Sequence, residues 1–174
     1  VSADGENGFD VLSTKIKSLE DKYGDFIKIA NGDIFQGKFE SNVLYGRPMV
    51  DCLNAMEFDA MVIGNHEFDW GLDNLKVYKD GDLSNGELNC PFLGANIIDK
   101  NGNRPDWIKP YTVVEKGNVK VGILGIIGDG LENSISKIAL DGYSFTSTFD
   151  AVDKYCKILK EEEKVDIIIL SSHA

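Results

Sequence analysis

Three short blocks of this sequence hold residue types able to bind a metal ion: Asn31-Gly32-Asp33, Gly64-Asn65-His66 and Ser171-Ser172-His173. Each follows a run of branched and aromatic residues that reads as a buried strand, so each delivers its polar side chains at a strand's carboxyl end. Strands joined by helical crossovers run parallel, and ligands gather at their carboxyl ends. Asp33, Asn65, His66 and His173 are therefore expected to meet at one sheet rim, although they span most of the chain. His66 and His173 are the only histidines in the sequence. Carboxylate oxygen, amide oxygen and imidazole nitrogen together suit borderline divalent ions such as Mn, Zn or Fe, rather than a thiolate site. Gly32 and Gly64 permit a sharp exit from each strand and a close backbone approach.

The elements that must position these residues follow from periodicity. Phe9, Leu12, Ile16, Leu19 and Tyr23 recur at helical spacing, and Pro48 to Glu57 repeats that spacing through Met49, Leu53 and Met56. Trp70 to Tyr78 reads as helical and Gly81 to Asn89 as a polar loop. Thr148 to Lys164 reads as a helix with Thr148 as its N-cap and Val152, Tyr155, Ile158 and Leu159 inward. Strands are expected at Phe26 to Ala30, Phe58 to Ile63, Phe92 to Ile98, Tyr111 to Glu115, Val119 to Ile126 and Val165 to Leu170. Helix alternates with strand, and a hairpin-like pair sits mid-chain. That pattern predicts an α/β fold with a mixed sheet or two sheets, covered by helices.

Composition excludes several classes. The 174 residues carry a net charge of −11, which disfavours binding of polymeric nucleic acid, because phosphate backbones repel such a surface. No apolar run approaches the roughly 20 residues of a membrane span. Cys52, Cys90 and Cys156 are too widely spaced for a zinc motif or an evident disulfide framework, and read as free thiols, buried or partly so. The chain starts at Val1 and stops at Ala174 just after an apolar run, so residues 1–174 are expected to be part of a longer protein.

Gly32-Asp33-Ile34-Phe35-Gln36-Gly37 and Gly64-Asn65-His66-Glu67-Phe68-Asp69 resemble two signature blocks of the calcineurin-like metallophosphoesterases. The resemblance is to the branch of bacterial 5′-nucleotidases, UDP-sugar hydrolases and 2′,3′-cyclic-nucleotide phosphodiesterases. Asp59-Ala60, Ala95-Asn96-Ile97 and Lys120-Val121-Gly122-Ile123 add to it. It implies the second of those architectures, mixed β-sheets sandwiched by helices, as an α/β/β/α sandwich that hydrolyses nucleotide phosphate esters by a metal-bound hydroxide, with a nucleotide or nucleotide sugar as substrate. It implies two divalent metal ions, with Asp33 bridging both, Asn65 and His173 as ligands of the second, His66 as the catalytic histidine and Asp69 as the acid that orients it. Asn96 and Gln36 are expected just behind the ligands, Gln36 fixing its loop by hydrogen bonds and Glu67 supporting the site or facing solvent. A periplasmic or cell-surface location also follows from the resemblance.

Two family blocks have no counterpart. Val1 to Gly8 offers Asp4-Gly5-Glu6 where the family has Asp-x-His, and Ala174 precedes the place of a Gly-His-x-His block. The resemblance further implies a carboxyl-terminal domain that contacts the nucleotide base, expected outside these residues. The stretch as given is therefore expected to bind metal weakly and turn over slowly.

Plainer readings compete with each residue taken singly: Asp33 as a turn aspartate, His173 as a hydrogen-bonded histidine at a strand end, Asp69 as a helix-start acid. The four metal-type positions at strand ends, in family order, favour the metal site. A phosphoesterase-like module that binds partners without catalysis is the alternative from another class, and His66 with Asp69 argues against it. Gly122, Gly125, Gly128 and Gly130 superficially suggest a dinucleotide loop, but Asn133 breaks the spacing, and they read as packing and turn positions.

Overall fold

Period-two burial along the strands shows how the layers assemble. A computed structural model describes residues 8–24, 26–140 and 142–174; Asp4-Gly5-Glu6 lies outside them. In chain order the elements are α1 (Phe9–Tyr23), β1 (Ile29–Asn31), α2 (Phe39–Val43), α3 (Arg47–Ala55), β2 (Ala60–Val62) and α4 (Asp73–Lys76). They continue with β3 (Phe92–Leu93), β4 (Ile97–Asp99), β5 (Ile108–Lys109), β6 (Tyr111–Lys116), β7 (Val119–Ile127), β8 (Tyr143–Phe145), α5 (Thr148–Glu161) and β9 (Ile167–His173). One sheet is parallel in the order β1-β2-β3-β5. A second has the order β6-β7-β9, with β6 antiparallel and β9 parallel to β7. A two-stranded ribbon pairs β4 with β8 antiparallel.

Ala60, Val62 and Leu93 of the first sheet pack against Ile123 of the second, forming the layer between sheets. Met61, Ile63, Phe92 and Ile108 point the other way, into a core with Phe35, Val50, Leu53, Phe68 and Leu75. Leu124 and Ile126 meet Ala151, Tyr155 and Leu159 of α5. The result is the α/β/β/α sandwich. Two glycines of β7 serve its two faces, as their packing reading expects. A Cβ on Gly125 would stand 2.4 Å from Leu93 Cβ in the other sheet, and one on Gly122 would stand 2.6 Å from Leu159 Cδ2 of α5. Among the described residues no helix is long and apolar enough to cross a membrane. The three cysteines are free, Cys90 buried and the other two partly so.

Several boundaries differ from expectation. The run Phe92 to Ile98 is two strands, because the chain changes sheets within it: the Gly94 amide donates to Lys109 O at 2.9 Å and the Ala95 amide to Gly125 O of β7 at 2.8 Å. The helix expected from Trp70 is only α4 followed by a 3₁₀ turn at Val77–Lys79. Ser147, not Thr148, caps α5, its Oγ accepting from the Asp150 amide at 3.3 Å; Thr148 Oγ1 donates to Asp129 instead. The last strand starts and ends later than its apolar core suggests, so His173 is its final residue and pairs in register with Ile127. The short elements α2, β5 and β8 were not foreseen, since two to five residues carry no readable period.

Candidate metal centre

The site forms where β1, β2 and β9 end. After Asn31 the backbone turns through Gly32 and Asp33, both left-handed, with φ of 81° and 56°. A Cβ at Gly32 would lie 2.5 Å from His173 Nδ1 and 2.8 Å from Gly64 Cα, so only glycine lets the three segments close up. Asparagine and aspartate tolerate left-handed backbone better than most residues, which suits Asp33 to its place.

His173 Nε2 lies 3.1 Å from Asn65 Oδ1 and 3.3 Å from Asp33 Oδ1. Its Nδ1 lies 2.7 Å from Asn31 O. That carbonyl can only accept, so Nδ1 carries a proton, and in the neutral ring the Nε2 lone pair faces two oxygens. Three electron-pair donors from separate segments thus converge, a donor set that fits a borderline divalent cation. Among the described residues there is no cluster of three His, Cys, Asp or Glu side chains suited to a metal. The convergent set has two of those types, and the Asn65 amide is its third member.

His66 begins a 3₁₀ turn (His66–Phe68), and its amide donates to Asp33 Oδ1 at 3.0 Å. Its ring Nδ1 is 2.9 Å from Asp69 Oδ2. The hydrogen bond to Asp69 raises the His66 pKa above its ordinary value, aided by the charges of Asp69, Asp33 and Glu67 and opposed by partial burial.

Glu67 is no surface residue: it is fully buried. Its Oε2 accepts from the amides of Asp33 at 2.7 Å and Gly64 at 2.8 Å, and its Oε1 from Ile34 at 2.8 Å and Phe35 at 3.2 Å. Burial pushes its pKa up, while these amides pull the other way. The role of Asn31 was missed. Its Nδ2 donates to Ser172 O at 3.0 Å and its Oδ1 accepts from Ser171 Oγ at 2.7 Å, tying β1 to β9 across the two sheets. The available signal was backbone demand: residues 33–35 leave a strand with amides that need acceptors, and nearby carboxylates are few.

Asn96 and Gln36 sit apart from the convergent trio. Asn96 is fully buried and clamps the end of β7, accepting from the Ile127 amide at 3.0 Å and donating to Ile127 O at 2.8 Å. It thereby reaches the residue paired with His173, but touches none of the three donors. Gln36 is half-buried, and among the described residues its side chain has no hydrogen bond that fixes the loop; Asn42 Oδ1, accepting from the Gly37 amide at 2.9 Å, does that. Trp107 packs edge-on against Phe92, and Trp70 against Tyr45.

No protein-family model matches the chain. The 5′-nucleotidase of Vibrio cholerae is 30% identical over 174 residues, covering 97% of this chain and 30% of that protein. A snake venom 5′-nucleotidase of Crotalus adamanteus is 38% identical over 116 residues, 65% of this chain and 19% of that protein. Among solved structures, the NAD nucleotidase of Haemophilus influenzae superposes with a TM-score of 0.75 at 27% identity, covering 96% of this chain and 32% of that one. The chain thus spans less than a third of the length of each of these relatives.

Proposed function

Because the chain belongs to the calcineurin-like metallophosphoesterases, a metal-dependent family, and to their 5′-nucleotidase branch, we propose that it carries the catalytic centre of a nucleotide phosphate-ester hydrolase of the 5′-nucleotidase type. The supporting observation is that Asn65 Oδ1 and Asp33 Oδ1 both lie within 3.3 Å of His173 Nε2, with the His173 ring pinned by Asn31. Those three residues would hold one divalent ion, and Asp33 would be shared with a second; Mn, Zn or Fe suits the donors. Bound there, the ions supply the positive charge that activates water and stabilises the charge developing at phosphorus.

The chain's own groups do the rest. With Nδ1 committed to Asp69, His66 holds its exchangeable proton at Nε2 and donates it to a phosphoryl or leaving-group oxygen. Asp69 favours the protonated ring and fixes its plane, acting through His66. Asn31 keeps the His173 Nε2 lone pair facing the other donors, a role typical of groups behind a metal ligand. A polypeptide of net charge −11 also needs cations at the site before a phosphate ester approaches.

The test is phosphate release from AMP, with Mn²⁺ present, by the full-length protein containing this chain. His66→Ala is expected to lower kcat by about 10²–10⁴, the usual scale for a positioned general acid. Unchanged kcat would remove His66 from the chemistry. Running 2′,3′-cyclic AMP and UDP-glucose beside AMP, with the products separated by chromatography because these diesters yield phosphate monoesters and not free phosphate, decides among the ester classes.

A further inference from the structure

We propose that Glu67 is a positioning residue that locks the Asp33 turn to the Asn65 turn, and so sets cation affinity without touching the cation; this rests on the metal-site reading above. Both carboxylate oxygens are filled by amide protons, two each, which leaves neither directed at an ion. Three donors, Asp33, Ile34 and Phe35, lie 32–34 residues away in sequence, while the fourth, Gly64, precedes Asn65 directly. The side chain is therefore a cross-link between the two ligand-bearing turns, placed under them and sealed from water.

Only a carboxylate of this length meets the demand. Glutamine keeps one acceptor oxygen and turns an NH₂ toward two N–H donors, so two amides lose their partner and face a like group. Aspartate keeps the charge but is one methylene short. Asp33 adds a further need: its left-handed φ of 56° is unfavourable for a residue with a Cβ and persists because the surroundings over-determine it. Hydrogen bonds to the amides of residues 33, 34 and 35 supply that over-determination.

Isothermal titration of the full-length protein containing this chain with Mn²⁺ tests this, comparing Glu67→Gln with Leu159→Ala, a control in the α5 layer far from the turns. Glu67→Gln is expected to weaken Mn²⁺ binding about 10–100-fold, the scale for groups that orient metal ligands. Leu159→Ala should lower Tm and leave the affinity unchanged. Asp33→Asn and His173→Ala test the underlying site: if both bind Mn²⁺ as the unaltered chain does, the metal-site reading fails and the proposal with it. If those two weaken binding and Glu67→Gln does not, only the positioning role is wrong. Should Glu67→Gln not fold, hydrogen exchange on the unaltered chain decides. Protection of the Asp33, Ile34 and Gly64 amides by at least about 10² over free-peptide rates is expected, and unprotected amides overturn the proposal.

Discussion

Replacing Gly64 with alanine probes how tightly the two ligand turns are packed. Gly64 is not in the left-handed region, so alanine can adopt its backbone and the whole effect is steric. The new Cβ would lie 2.5 Å from Asp33 Oδ1, 2.7 Å from Asp33 N and 2.9 Å from Glu67 Oε2. Restoring ordinary contact needs a shift of about 1 Å at Asp33, enough to break its amide bond to Glu67. Overpacking of this kind costs about 1–3 kcal/mol, and a lost hydrogen bond to a charged acceptor about 1.5–3. Together these give a loss of about 2.5–6 kcal/mol, or roughly 5–24 °C in Tm for a chain of this size. Gly81→Ala is the contrast: φ is 85° but nothing lies within 4 Å of the new methyl, so only backbone strain of about 1–2 kcal/mol applies. Thermal unfolding followed by circular dichroism, with Mn²⁺ titration of each variant, reads both effects. Gly64→Ala proving no more destabilised than Gly81→Ala, or keeping full Mn²⁺ affinity, would refute the packing argument.

Other expectations follow from single contacts. Asn31→Ala removes two side-chain bonds between β1 and β9 and should cost about 1–3 kcal/mol in urea unfolding; a loss below about 0.5 would show the tether idle. Burial pushes the Cys90 thiol up to about 12, leaving about one thiolate in 10⁴ at pH 8. Iodoacetamide should therefore spare Cys90 in the native chain and label it in urea, and native labelling at the unfolded rate would contradict its burial. Gly122→Ala should cost about 1–3 kcal/mol against Leu159, and Leu159→Ala about 2–5. The double variant should cost less than their sum, because the added methyl enters the space vacated, and strict additivity would deny the contact.

Asp33, Asn65, His66 and His173 were legible in the sequence because each follows an apolar strand, and parallel strands deliver their ends to one rim. The α/β class was legible from the alternation of helix and strand, and the two-sheet sandwich from the family resemblance. What escaped is local. The break after Leu93 depends on Gly94 and Ala95 bonding to different sheets, which no period records. The position of His173 inside β9 depends on a ladder that extends through Ser171 and Ser172, polar residues that look like a loop. Glu67 was legible only as supporting the site or facing solvent, and the Asn31 tether not at all, because all four partners of Glu67 and one side-chain partner of Asn31 are backbone groups, which carry no residue identity. Glu67 also runs against the rule that carboxylates stay outside, a rule that yields when amides fill both oxygens.

The central claim is that Asp33, Asn65 and His173 form one cation site. Anomalous diffraction from crystals of the chain grown with Mn²⁺ tests it most directly. A peak bounded by Asp33 Oδ1, Asn65 Oδ1 and His173 Nε2 is expected. A peak at other residues, with these three atoms left without an ion, would contradict it.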